Sequence, residues 1–390
     1  MGTSGDAFGF DSLDIKWLTT KPGQKWAKVS PLLAAWVADM DFAPAPAIVA
    51  HLHSVLDSGD VGYPVRDEKR RTRAVTAFAG WMQSRHDWRI DTDRVREWND
   101  VVQAVQAILH VATSPGDGVI VHTPAYPPFF EAIEQTHCHL VPVPAHLEGD
   151  SVVFDHDALE RQITEAQARV LLLCNPQNPT GHVFTRDQLE HVVRIAVTND
   201  LLIISDEIHA DLVWDSRRHI PIASLAGAAD RTVTITSASK TFNLAGLRYA
   251  VSHCGADWVE ERLAALPDHL FGATNIMGAE AAWAAWSYGA PWLDAAVTHL
   301  ERMRDLTVDL IRDQLPGVVV NRPEATYLAW LDCSHLGWSD PREMFRAAGV
   351  EVSPGTSFGP GGDGHVRLNF ATSSAVMEEI VRSMAGAAAG

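Results

Sequence analysis

The sequence predicts an α/β protein: a mostly parallel sheet wrapped by helices, followed by a smaller α+β unit. Three observations carry this reading. From about 101 to 253, short β-branched runs alternate with stretches of helical periodicity, the pattern of parallel strands joined by helical crossovers. The runs GVIVH, VLLLC, LLIIS and TVTIT are apolar or β-branched at nearly every position, as strands buried on both faces must be. With 390 residues, 46% of them hydrophobic, the chain is long enough for a large core and two domains. The expected division is an arm together with part of the small domain at 1–47, a large domain at 48–288 and the rest of the small domain at 289–390.

In the arm, Pro22, Pro31, Pro44 and Pro46 interrupt regular structure among Trp17, Trp26 and Trp36, so the segment is expected to pack across something larger. WVADMDF (36–42) stands near its end. A helix from about 47 to 56 stops at Ser58-Gly59, and VGYP (61–64) is a turn that presents Tyr63. Val75, Phe78, Ala79 and Met82 recur at helical spacing and predict a helix over 72–85. Asp100 is placed to cap the helix VVQAVQAILHVA, with Gln103 in the capping-box position, which leaves the amides of Val101 and Val102 free for an anion. GVIVH leads into TPAYPPF, VLLLC into NPQNPTG, LLIIS into Asp206, and TVTIT into SASKTFNLAGLR; Thr185 and Gln188 open a helix to about 197. Tyr126, Asn178, Asp206 and Lys240 thus each follow a strand, and parallel strands would bring them to one rim, where open α/β sheets bind ligands. A helical region from 256 to 314 breaks at Pro267, Gly272 and Gly289-Ala290-Pro291. VVV (318–320), TYLAWLD (326–332) and HVRLNF (365–370) read as strands of the smaller unit. In the last, His365, Arg367 and Asn369 alternate with Val366, Leu368 and Phe370, giving one core face and one face free for a ligand. GPGGDG (359–364) precedes a strand instead of a helix, so it reads as a turn beside the site and not as a phosphate loop.

Composition narrows the function. With 31 basic and 49 acidic residues the net charge is -18, which opposes nonspecific binding to nucleic acid or anionic lipid. Cys138, Cys174, Cys254 and Cys333 are far apart and form no Cys-x-x-Cys pair, which fits a reducing, cytoplasmic setting. The start, MGTSGDAFGF, lacks the pattern of a leader, and no stretch approaches the length of a membrane span. His137-Cys138-His139 has no companion cluster at ligand spacing, so no metal is expected.

Lys240 follows a buried strand, is bracketed by the hydroxyls of Ser237 and Ser239, and precedes Arg248 by eight residues. Lysine forms Schiff bases, and arginine with hydroxyls suits a phosphate. A lysine, a strand-end aspartate, an asparagine, an aromatic ring and a phosphate cup are what pyridoxal phosphate needs from a protein. In that reading Asp206 keeps the pyridine nitrogen protonated, Asn178 donates to the phenolic oxygen, Tyr126 lies against the ring, and Lys240 doubles as the base at Cα.

SASKTFNLAGLR, NPQNPTG, DEIHADLVW and HVRLNF, in this order, resemble the pyridoxal-phosphate enzymes of fold type I in the class I and II aminotransferase family. The resemblance covers nearly the whole chain and implies a large domain on a sheet of the seven-stranded type. It assigns Lys240, Asp206 and Asn178 as above, Arg367 to the carboxylate of an amino-acid substrate, and Ser237, Ser239, Arg248 and the backbone at Val101 and Val102 to the phosphate. Tyr63 matches a tyrosine that reaches the phosphate of the neighbouring subunit, which implies a homodimer with shared sites. WVADMDF, GYP, PAYPPF, the DVV helix opening and above all DEIH are similar to the cystathionine β-lyase and cysteine-S-conjugate β-lyase branch, implying β-elimination to a thiol, pyruvate and ammonia. His209 stands where many family members carry a tyrosine that shares the phenolic oxygen; it is read as touching the cofactor or as a packed histidine hydrogen-bonded to Asp206. An aminotransferase using the same lysine, and a noncatalytic binding protein on the same fold, are the alternatives.

Overall fold

The computed structural model describes residues 6–388 apart from 70, 149–150, 156–158, 160–161, 164–165 and 268. The first five residues of MGTSGDAFGF and the last two residues of the chain lie outside the described residues.

The arm contributes one short strand, β1 (Leu33–Ala34). The main sheet then takes β2 (Val95–Trp98), β3 (Gly118–Thr123), β4 (His139–Glu148), β5 (Ser151–Phe154), β6 (Ala168–Cys174), β7 (Leu202–Asp206), β8 (Thr232–Thr236) and β9 (Ala250–Cys254), in the order β2-β9-β8-β7-β6-β3-β4-β5. The run β8-β7-β6-β3-β4 is parallel, while β2 and β9 close one edge and β5 the other by antiparallel pairing. The sheet is therefore one strand wider than the seven-stranded type, because β5 folds back on the long β4. Strands β3, β7 and β8 are buried at every position. Alternate residues divide between two cores: Val119, Val121, Leu202 and Ile204 face one, Ile120, Leu171 and Ile203 the other.

The crossover helices start where the sequence places caps. Thr185 and Gln188 form a complete capping box on Arg186–Thr198. Asp100 accepts from the Gln103 amide at 2.7 Å, but the Gln103 side chain reaches back to the Asn99 amide (2.9 Å) and not to that of Asp100. Gly289 ends the helix Ile276–Tyr288 and also begins Ala290–Gln314.

The second sheet takes β10 (Val319–Val320), β11 (Leu328–Asp332), β13 (Ser353–Pro354) and β14 (His365–Asn369), in the antiparallel order β10-β11-β14-β13; β12 (Val350–Glu351) pairs instead with β1 of the arm. One expectation changes here. The polar face of β14 is largely covered: Arg367 and Asn369 are buried under residues 36–42, and of the two only Arg367 lines the cavity. That segment forms no ladder, so its carbonyls require side-chain donors. Asn369 Nδ2 donates to the carbonyls of Val37 (2.6 Å) and Asp39 (2.8 Å), and Arg367 Nη2 to that of Trp36 (2.9 Å).

Gly181 closes the NPQNPTG loop against the segment leading to β11. Its φ is +72°, and a Cβ there would lie 2.4 Å from Pro323 Cβ and 2.9 Å from the Ala325 carbonyl. Gly181→Ala is expected to destabilise the protein by about 2–4 kcal/mol, through strain and overpacking together. The measurement is the urea midpoint at unchanged m-value; a midpoint equal to wild type would show that the loop has room to shift.

Candidate active site

The carboxyl ends of the parallel strands open into one cavity of about 540 Å³. Lys240, Asp206, Asn178, Tyr126, His209, Ser237, Ser239, Arg248, Val101, Val102 and Arg367 all line it. Of the residues singled out from the sequence, Tyr63 alone is absent from this lining, and it is 99% exposed.

Lys240 sits in the short helix Ala238–Thr241, directly after β8. Ser237 begins that helix, accepting from the Ser239 amide at 3.0 Å and donating to the Tyr249 carbonyl at 2.6 Å. Lys240 Nζ donates to the Ala38 carbonyl at 2.8 Å, with Asp39 Oδ1 at 3.9 Å. Burial pulls the amine below the ordinary lysine range; Asp39 opposes this, Arg367 adds to it, and Asp206 opposes it.

Asp206 ends β7 and is 3% exposed, with Oδ1 accepting the Ile208 amide at 3.1 Å. Burial pushes its carboxyl up to about 7. His209 is buried too; burial first, then the charges of Lys240 and Arg367, drive it down to about 3, so it is neutral. The expected bond between His209 and Asp206 is not formed. The turn after β7 spends Asp206 Oδ1 on Ile208, the His209 ring packs against Tyr327 with centroids 6.3 Å apart, and His209 Nδ1 has no hydrogen-bond partner among the described residues.

Arg367 Nη1 donates to Asn178 Oδ1 at 3.0 Å, Nη2 to the Trp36 carbonyl, and the guanidinium carbon lies 4.9 Å from the Phe358 ring centroid. Its Nε has no partner among the described residues. Burial lowers it to about 10, which leaves it cationic at neutral pH. Arg248, at φ +54°, pairs with Asp100, the cap of the helix that begins at Val101. Because Ser237 bonds the carbonyl of Tyr249, next to Arg248, the proposed phosphate groups form one contiguous cluster.

Trp36, Val37, Ala38 and Phe358 also line the cavity. Nothing in the proline-broken arm announces that its backbone enters a site; the only signal was WVADMDF itself, a run mixing apolar and acidic residues.

Pyridoxal phosphate suits these residues. Asp206 is a buried carboxyl that burial protonates near neutrality unless a cation stands beside it, as a protonated ring nitrogen would. Lys240 supplies an amine, and His209 Nδ1 and Arg367 Nε are buried polar atoms without partners among the described residues.

The sequence model of aminotransferase class I and II matches residues 49–384. The chain is 34% identical over 383 residues to cystathionine beta-lyase PatB of Bacillus subtilis (strain 168), with 96% of each chain covered. Among solved structures, cystalysin from Treponema denticola, which contains a pyridoxal 5'-phosphate cofactor, is similar with a TM-score of 0.88 at 30% identity, covering 94% of this chain and 95% of that one. The PLP-bound C-S lyase from Staphylococcus hominis gives 0.89 at 27% identity, covering 97% and 98%. By its sequence model and by this near full-length identity, the chain belongs to the aminotransferase class I and II family.

Proposed function

We propose that the protein is a pyridoxal-phosphate-dependent carbon-sulfur β-lyase acting on L-cystathionine or a related cysteine S-conjugate. The observation that carries it is the convergence of Lys240, Asp206 and Arg367 on one cavity, in a chain similar over almost its full length to a cystathionine β-lyase. The thioether and one water give a thiol, pyruvate and ammonium, with no oxidant or second substrate required.

Bound in this cavity, the cofactor supplies an electron sink conjugated to the substrate nitrogen. Lys240 would hold it, with Asp206 to pair with the ring nitrogen, Tyr126 and His209 to contact the ring, and Ser237, Ser239, Arg248 and the backbone at Val101 and Val102 to bind the phosphate. Arg367 grips the substrate carboxylate as a planar fork, giving up its bonds to Asn178 and the Trp36 carbonyl. The Arg367 bond falls on Asn178 Oδ1, so Asn178 Nδ2 would be the donor to the cofactor's phenolic oxygen. Lys240 Nζ takes the proton from Cα, a role helped by burial, which lowers the amine toward working pH. Trp36, Pro127 and Phe358 wall the cavity with apolar surface that suits a thioether and excludes water from the departing sulfur.

We take 48–288 as the cofactor-binding domain and 289–390 as the small domain, with 1–47 as the arm and part of the small domain; the main sheet lies within the first range, the second sheet within the second, and β1 of the arm pairs with β12. We place the protein in the cytoplasm, in keeping with four free cysteines; among the described residues no helix is long and apolar enough to cross a membrane. We read the working form as a homodimer. Leu56, Val61, Tyr63 and Val65 are exposed within ten residues of chain, an apolar run suited to a partner copy.

Incubation with cystathionine and no keto acid is expected to release thiol and pyruvate over many turnovers. Stalling after one turnover, relieved only by a keto acid across a range of thioethers, would establish an aminotransferase instead.

Asp206→Asn is expected to retain cofactor binding but lose roughly 10²–10³-fold in kcat. A second readout is stability. The folded carboxyl titrates at about 7, above its unfolded value, so its contribution is fully present below the unfolded pKa and is lost as pH rises through 7. Cofactor-free wild type should therefore lose stability between mildly acidic and neutral pH, and the variant should lack that slope. Equal slopes in urea unfolding would remove the assigned titration.

Mixing Lys240→Ala with Tyr63→Ala, each inactive alone, is expected to restore about a quarter of wild-type activity, the share of intact sites under random pairing. No recovery under verified subunit exchange would place Tyr63 in its own chain's service.

A further inference from the structure

WVADMDF holds two acids, and the structure treats them differently. Asp41 is buried, with Oδ1 standing 3.0 Å from Lys25 Nζ and accepting from Trp26 Nε1 at 2.6 Å, while Oδ2 has no hydrogen-bond partner among the described residues. Asp39 is partly exposed, and its carboxylate stands 3.9 Å from Lys240 Nζ, the amine that the proposed function makes reactive. The backbone around Asp39 is pinned from several sides. Its carbonyl accepts from Lys25 Nζ (3.1 Å) and Asn369 Nδ2 (2.8 Å), and the next amide, of Met40, donates to Asn243 Oδ1 (3.0 Å). Asn243, three residues after Lys240, also donates to the carbonyls of Met40 and Phe42. The loop that carries Lys240 and the arm that carries Asp39 are thus laced together by side-chain bonds, which fixes the carboxylate relative to the amine.

We propose that Asp39 is a positioning residue for Lys240: its carboxylate is the counter-charge that keeps the free amine aimed at the Ala38 carbonyl and sets the pH at which that amine accepts a proton. This rests on the reading of Lys240 as the reactive lysine. The charged and titratable groups facing Lys240 are Asp39 from the arm, Asp206 from the end of β7, His209 from the turn after it, and Arg367 from β14, with the Tyr327 hydroxyl sharing the Ala38 carbonyl at 2.8 Å. Of the two anions, Asp39 acts the more strongly on the amine. Asp206 is committed to the ring nitrogen in the proposed function, so once cofactor is present Asp39 is the anion left to Lys240. An ammonium formed at Lys240 by taking the Cα proton is stabilised by that charge; without it, burial and Arg367 act unopposed and the amine becomes a weaker base.

The test compares wild type with Asp39→Asn and Asp39→Glu. In cofactor-free full-length protein, trinitrobenzenesulfonate labels neutral amines, and peptide mass spectrometry follows Lys240 from neutral to alkaline pH. The half-labelling pH of Lys240 is expected to fall by about one unit in Asp39→Asn, a tenfold shift in its protonation equilibrium, and to be largely restored in Asp39→Glu. In the holoenzyme the acid limb of kcat with cystathionine should move to lower pH in the same order, with KM little changed. An unchanged labelling midpoint in Asp39→Asn overturns the proposal, as does a shift that Asp39→Glu shares in full. Borohydride reduction of the holoenzyme serves as the separate check: cofactor fixed to a peptide lacking Lys240 would refute the functional reading, while the labelling midpoints would still decide whether Asp39 governs Lys240.

Discussion

Seven consecutive carbonyls, from Trp36 to Phe42, pass between the two sheets without a strand partner of their own, and each is met by a side chain. Buried backbone acceptors must be satisfied, so this segment dictates what surrounds it. Its donors come from the Lys240 loop (Lys240, Asn243), from β14 (Arg367, Asn369), from Ser353 of β13, from Tyr327 just before β11, and from Lys21 and Lys25 of the arm. The same backbone therefore ties the rim of the main sheet to the face of the second one. It also means that two cationic groups of the cavity, Lys240 and Arg367, rest on carbonyl dipoles, which a cofactor carbonyl and a substrate carboxylate would replace in the proposed function.

Burial dominates the electrostatics of this cavity. It is the largest effect on Asp206, His209, Lys240 and Arg367 alike, and in each case it opposes the charged form. The consequences differ. His209 becomes neutral and so adds no third positive charge beside Lys240 and Arg367. Arg367 keeps its charge because its starting point is so high. Asp206 is left poised near neutrality, where one adjacent cation decides its state. A zwitterionic substrate and a cofactor bearing a ring nitrogen and a phosphate would give each of these groups the partner that the protein withholds.

The strand ends were legible in the sequence because buried parallel strands announce themselves by unbroken β-branched and aliphatic runs, and Tyr126, Asn178, Asp206 and Lys240 follow such runs directly. The caps at Asp100 and Thr185 were legible for a similar reason: a short polar residue three positions before a glutamine has a local geometric meaning. What sequence could not reveal depends on contacts between distant segments. HVRLNF shows a polar alternate face, but periodicity does not say whether water or the arm covers it. WVADMDF has neither helical nor strand period, so nothing local places Ala38 against Lys240. The antiparallel return of β5 onto β4 went unread even though Gly149-Asp150 separates the two runs, and the partner of His209 turned on a bend after β7 that no spacing fixes.

The acids of DEIHAD show most directly how one stretch of chain separates chemistry from support. Glu207, fully buried beside Asp206, points to other partners: His219 Nε2 at 2.8 Å, Ser205 Oγ at 2.9 Å and the Ile222 amide at 3.2 Å. Asp211 accepts from His86 Nε2 (2.9 Å), Trp81 Nε1 (3.1 Å) and Thr241 Oγ1 (3.0 Å), the last being the neighbour of Lys240. The His86 and His219 rings meet edge to face at 5.4 Å, so the contacts run from the neighbour of Asp206 round to the neighbour of Lys240. Burial is the largest effect on both Asp206 and Asp211, yet their carboxyls move in opposite directions. At Asp211 the donors, His86 foremost, outweigh burial and hold it below the usual range, while at Asp206 one backbone amide cannot. Burial alone therefore does not mark a functional acid. The distinguishing feature is a buried acid left short of donors, and of these two the one in that condition is the one that lines the cavity.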